Sequence, residues 1–156
     1  MSIKDFKNFT DAQQRAALNH VTASRYPARD RLILLFSYQA GMRAKEISLV
    51  TWDMVLDSAG NISDSIALQN TASKGKHGGR VIPMHSDIRK ALGGIPMGAG
   101  PVIRSERGPG MSATAVANWF WLLYQALGFS GASSHSGRRT FLTKAARKIV
   151  EAGGAL

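Results

Sequence analysis

The chain has 156 residues, 44% of them apolar, no cysteine and a formal net charge of +10. That length suits one domain with its own core, and the missing cysteines exclude disulfides, thiolate metal sites and thiol chemistry. The amino end lacks an apolar stretch followed by a small-residue cleavage site, and the apolar run 32–36 is far too short to span a bilayer, so a cytoplasmic protein is expected.

The charge is unevenly placed. Up to Ser73 there are 8 basic and 7 acidic residues, and from Lys74 onward 12 and 3. Each cation that replaces a counterion on a phosphate adds salt-dependent affinity, so this asymmetry points to a polyanion-binding face. A solvated basic surface is the plainer alternative. A membrane surface fits less well, because the basic residues do not gather on one amphipathic helix beside bulky apolar anchors.

Thr10 with Gln13 three residues on has the form of a capping box, and Ala16, Ala17, Leu18 and Val21 supply a stripe for a first helix from Asp11. Pro27 suits the first turn of a second helix that runs through Leu32, Leu35 and Phe36 to Gly41. A short third helix covers Ala44 to Leu49. Residues 54–56, 65–69 and 80–84 are strand-like runs separated by Ser-Ala-Gly-Asn and the glycine-rich segment 73–79, which predicts a small antiparallel sheet. Helical periodicity returns at Ser86, and 93–101 with 108–110 read as a flexible connection. Residues 112–127 form a strong helix in which Val116, Trp119, Phe120, Leu123 and Leu127 have core spacing, not the pattern of a base-stacking platform. The last helix runs from Ser134 to about Ala152. It is expected to bury Phe141, Leu142, Ala145, Ala146 and Ile149 and to leave Arg139, Thr143, Lys144, Arg147 and Lys148 on its polar side. The outcome is a single α+β domain over residues 1–156, mainly helical with a small sheet.

Three segments carry chemistry-bearing residues. In Gly41-Met42-Arg43-Ala44-Lys45-Glu46-Ile47 an arginine follows a helix stop, with a glutamate one turn on; the ordinary reading is a surface i,i+3 ion pair. Ser73-Lys74-Gly75-Lys76-His77-Gly78-Gly79-Arg80 is a basic turn between two strands, suited to laying ammonium groups along phosphates or to donating a proton from a lysine made more acidic by neighbouring cations. It lacks the spacing of a nucleotide-binding loop and leads into a strand, so no nucleotide cofactor is expected. In His135-Ser136-Gly137-Arg138-Arg139 the first and fourth residues share a helical face. A buried Arg138 needs an anion, either a carboxylate or a bound phosphate, and the second half offers only Asp87, Glu106 and Glu151.

Gly-Met-Arg-x-x-Glu, a Lys-Gly turn leading into Arg-Val-Ile-Pro-Met, and His-x-x-Arg opening a helix stand in the order and approximate separations of the tyrosine recombinase (phage integrase) catalytic domain. The chain resembles that family from about Thr10 to its end. The resemblance implies a site-specific DNA recombinase or integrase that cuts and rejoins strands through a 3′-phosphotyrosine. Arg43 and Arg138 would be the two catalytic arginines, Lys74 the hairpin lysine with Lys76 as its alternative, His135 the box histidine and Glu46 a supporting carboxylate. Arginine forks suit the nonbridging oxygens of a phosphate in its pentacoordinate transition state; the lysine would protonate the leaving 5′ oxygen and the histidine would assist on the attacking side. The scheme calls for no metal or other cofactor. Lys45, Lys76, Arg80 and Arg139 are expected to contact DNA, and the expected partners are duplex DNA and other recombinase subunits, without a membrane.

Two departures stand out. Gly137 occupies a place where the family carries an apolar residue, and is expected to loosen the helix start. The family's nucleophilic tyrosine follows the His-x-x-Arg helix, whereas Tyr26, Tyr38 and Tyr124 all precede it, in segments read as core helices. The chain is therefore expected to be an incomplete catalytic domain, without the amino-terminal clamp, that binds DNA but is inactive alone. The rivals are a non-enzymatic DNA-binding module or regulator and, more remotely, a metal-dependent nuclease using Asp53, Asp57 and Asp64.

Overall fold

The computed structural model describes residues 6, 8–69 and 79–153. The first helix, α1 (Asp11–Val21), opens on the expected capping box: the Thr10 hydroxyl accepts from the Gln13 amide at 3.1 Å, and the Gln13 side chain accepts from the Thr10 amide at 2.9 Å. Pro27 begins α2 (Pro27–Ala40), and Gly41 ends it with a left-handed φ of 63°. Every residue from Leu32 to Phe36 is buried, a pattern that no one-sided surface helix shows. The cause is position: α2 packs against α1, α5 (Ser86–Gly93), α7 (Ser134–Glu151) and the short α3 (Ala44–Leu49), so it lies at the centre of the fold.

Among the described residues the sheet has two strands, β1 (Ser65–Ala67) and β2 (Val81–Pro83), antiparallel with Ile66 opposite Ile82. The ladder extends by bonds from the Leu68 amide to the Arg80 carbonyl and from the Met84 amide to the Asp64 carbonyl, each 2.9 Å. The third strand-like run, 54–56, is instead mostly helical and belongs to α4 (Trp52–Val55). Trp52 and Val55 are three apart and both buried, so the helical spacing outweighed the local β-type composition. Leu56 keeps only an isolated bridge to Ile62.

The connection before α6 (Ala113–Ala126) is tied down, against the expectation of a flexible link. Arg104 donates to the carbonyls of Gly108 at 2.6 Å and Ala99 at 2.7 Å, its own carbonyl accepts from Arg29 at 3.1 Å, and Glu106 receives Tyr26 and Arg25. In α6, Val116, Phe120, Leu123 and Tyr124 are buried as core, with Trp119 packed against them.

The face of α7 departs most from its periodicity. Its buried residues are Ser134, Ser136, Gly137 and Thr140. Leu142 and Ile149 are each 47% exposed, and Phe141, Ala145 and Ala146 are only half-buried. Small side chains face inward because α7 lies very close to α2. A Cβ on Gly137 would stand 2.9 Å from the Tyr38 ring and closer still to the Ser37 hydroxyl. Gly137 thus fits the helix contact and does not loosen the helix start, which Ser133 and Ser136 close by a reciprocal cap. Thr140 fastens the same turn to the amino-terminal segment by accepting from the Phe9 amide at 2.9 Å.

Candidate functional site

The site lies at the carboxyl end of α2. The left-handed turn at Gly41 suits glycine, and close packing also requires it, since a Cβ there would lie 2.5 Å from a ring carbon of Phe141 on α7. Met42 is buried and anchors the turn, and Arg43 follows as the N-cap of α3, 56% exposed at its side chain.

Glu46, one turn into α3, gathers three groups. Its Oε1 accepts from the Arg43 amide at 2.9 Å and from Arg80 Nη2 at 2.7 Å, its Oε2 accepts from Arg80 Nε at 3.1 Å, and Arg43 Nη1 stands 3.8 Å from Oε2. The ordinary i,i+3 pair is present, but the stronger partner is Arg80, which forms a two-pronged bond from the edge of β2. Burial pushes the Glu46 carboxyl pKa up, yet the bonds from Arg80 and Arg43 and their charges outweigh it, so the group is held below the usual glutamate range.

Arg138 arrives from α7. Its Nη1 donates to the Gly41 carbonyl at 2.6 Å, across 97 residues of sequence. Among the described residues no ion pair involves it; the carboxylate that reaches it through space is Glu46, not Asp87, Glu106 or Glu151. Burial first, then the positive fields of Arg43 and Arg80, make its protonated form harder to hold, while Glu46 opposes them. Among the described residues, Arg43, Arg80 and Arg138 therefore share one electrostatic neighbourhood with a single carboxylate, Glu46. His135 lies in the first turn of α7, exposed and one turn before Arg138, which puts both on one helical face.

The other sequence candidates are placed differently. Lys45 is exposed on α3. Arg139 donates to the Phe6 carbonyl at 2.9 Å, so this partner belongs to the amino-terminal segment. Lys74 and Lys76 lie outside the described residues. Asp53 accepts from Thr51, Asp57 caps its own turn through the amides of Ala59 and Asn61, and Asp64 pairs with Arg89. These are separate local roles, and among the described residues no group of three or more potential ligands could hold a metal. The basic excess is partly spent internally: Arg89 binds the carbonyls of Ile62 and Ser63, Arg104 staples its loop, and Lys144 meets Asp11 and Gln14. The sequence reading missed the Gly41 carbonyl as a binding partner, although the Gly-Met-Arg segment contains it.

The fold is that of the tyrosine recombinase catalytic domain. The chain superposes on XerA recombinase with a TM-score of 0.71 at 16% identity, covering 91% of this chain and 51% of that one. It matches the Tn1549 transposon integrase in complex with transposon right end DNA (TM-score 0.67, 21% identity, 96% of this chain and 55% of that one). It also matches a lambda integrase dimer bound to a COC′ core site (0.67, 18%, 94% and 43%). The chain thus spans about half the length of these structures. No family model and no curated protein matches its sequence. Among the described residues no helix is long and apolar enough to cross a membrane.

Proposed function

We propose that this chain is the phosphate-holding core of a site-specific DNA recombinase or integrase. Arg43 and Arg138 grip the nonbridging oxygens of a DNA phosphate, His135 handles the proton on the attacking side, and Lys74, or Lys76 in its place, protonates the leaving 5′ oxygen. Duplex DNA and further recombinase subunits are the partners. The observation that carries this reading is the bond from Arg138 to the Gly41 carbonyl, because it fixes one guanidinium two residues from Arg43, where the positive charges exceed what Glu46 neutralises and a further anion is favoured. The integrases solved in complex with DNA add support by fold.

None of Tyr26, Tyr38 and Tyr124 suits the role of nucleophile. Tyr38 and Tyr124 are buried and share a 2.8 Å hydrogen bond. Tyr26 precedes α2 while Arg43 follows it, and a helix of 14 residues separates its ends by about 21 Å. On this reading residues 1–156 bind and position the phosphate, and strand exchange requires an attacking tyrosine supplied to them.

The test is titration of labelled duplex at several salt concentrations. Arg43→Ala and Arg138→Ala are each expected to flatten the slope of log affinity against log salt by about 0.9. Affinity that ignores salt, or slopes that ignore both substitutions, overturns the proposal. Orthovanadate, a mimic of the five-coordinate phosphorus, separates chemistry from simple binding: a catalytic site prefers it to inorganic phosphate by on the order of tenfold or more, whereas a non-enzymatic DNA-binding module shows no preference.

A further inference from the structure

Arg80 stands among the cations of the site, just before β2, and its sequence position suggests a grip on DNA. Its guanidinium is already committed. Nε and Nη2 both bond the Glu46 carboxylate, at 3.1 and 2.7 Å, from 34 residues away. The same carboxylate takes the Arg43 amide and sits beside the Arg43 guanidinium. The Arg80 carbonyl meanwhile continues the ladder by accepting from Leu68. Arg80 thus joins the two-stranded sheet to the cap of α3 through one carboxylate, and the far end of that connection is Arg43.

We propose that Arg80 is a positioning residue for Arg43 that acts through Glu46, and that it is not itself a phosphate contact. The energetic reason is competition. A phosphate that captured Arg80 would strip Glu46 of both prongs and leave a partly buried carboxylate beside the incoming anion. A phosphate seated on Arg43 and Arg138 leaves the Glu46–Arg80 bond whole, and the fixed backbone at Arg43 lowers the cost of ordering its side chain. This inference rests on the reading of Arg43 and Arg138 as the phosphate-holding pair. A lysine at position 80 keeps the charge but has no fork, so it tests geometry separately from electrostatics.

The experiment is duplex titration at several salt concentrations with Arg80→Ala, Arg80→Lys, Arg43→Ala and the double variant Arg43→Ala/Arg80→Ala, beside amide hydrogen exchange at Leu68. Arg80→Ala is expected to weaken binding on the order of tenfold in the wild-type background and negligibly in the Arg43→Ala background, since groups that act in series are not additive. Its salt slope stays at the wild-type value, and Arg80→Lys behaves like Arg80→Ala. Leu68 exchanges faster while amides of α2 keep their protection, which separates a lost strut from a lost fold. The proposal is overturned if Arg80→Ala lowers the slope by about 0.9 as a direct contact must, if its effect persists in full without Arg43, if lysine restores binding, or if Arg80→Ala changes nothing. The two readings fail separately: slopes that ignore Arg43→Ala and Arg138→Ala sink the phosphate site, whereas slopes that fall for those and also for Arg80→Ala sink only the positioning role.

Discussion

Arg138 Nη1 lies 2.6 Å from the Gly41 carbonyl oxygen, so an arginine of the last helix completes the end of the second. Helix termini leave carbonyls without intrahelical partners, and a guanidinium is a suitable donor because it suits the negative end of the helix dipole. The same bond that stabilises the end of α2 also fixes the guanidinium near Arg43. Fold and site are coupled here through one contact.

Removing that contact has a measurable cost. Arg138→Ala is expected to destabilise the chain by about 1.5–3 kcal/mol in urea denaturation, the range for a hydrogen bond that involves a charged group. Arg138→Lys is expected to recover part of the loss, since the bond uses one donor nitrogen and an ammonium keeps a charged donor. A change below about 0.5 kcal/mol, the scatter of ordinary surface substitutions, would show that solvent replaces the bond freely.

The contact of α2 with α7 yields a paired prediction. Gly137→Ala drives a methyl group into the Ser37 hydroxyl and the Tyr38 ring, and overpacking of this kind costs about 1–3 kcal/mol. Among the described residues Ser37 Oγ is buried without a hydrogen-bond partner, so Ser37→Ala should raise stability by about 1 kcal/mol. Thermal or urea unfolding of the two single variants decides the matter, and a stabilising Gly137→Ala would contradict the close approach.

Acid should loosen the Glu46 connection. Its carboxyl pKa is depressed in the folded chain, so the contribution is present above the unfolded glutamate value near 4.5 and is lost as pH falls through the lower folded value. Stability measured from neutral pH downward should therefore fall less steeply in Glu46→Gln than in the wild type between the unfolded glutamate value and the lower folded one. Parallel curves would mean that the ion pair contributes nothing.

The paired phenols make the opposite prediction at high pH. Burial pushes both Tyr38 and Tyr124 well above the ordinary tyrosine value of 10, with their mutual bond lowering Tyr38 and raising Tyr124. The folded state favours the neutral forms, so this stability is complete below pH 10 and declines as pH rises beyond it. Ultraviolet titration should show these two phenols ionising only as the chain unfolds. Their early ionisation in a folded chain would contradict the buried pair.

A nicked suicide substrate checks the chemistry. Residues 1–156 should yield no covalent DNA adduct through Tyr26, Tyr38 or Tyr124, because an attacking oxygen must be held in line with the phosphorus. Denaturing electrophoresis with mass mapping is the assay, and an adduct at any of these residues would overturn the assignment of the phosphate site.

The sequence by itself determined the features written locally. The Thr10–Gln13 box, Pro27 and Gly41 set the bounds of α1 and α2, because caps and turns depend on neighbours within one turn of the chain. The ordered motifs also pointed to Arg43, Glu46 and Arg138. Tertiary structure decided which faces were buried and which cations were already engaged. Leu142 and Ile149 look like core in periodicity, yet small residues face α2 instead, since backbone approach and not hydropathy sets that contact. Arg80 and Arg139 read alike as DNA contacts, but one bonds Glu46 and the other the Phe6 carbonyl. Composition counts charges, whereas only the fold brings a guanidinium to the oxygen that binds it.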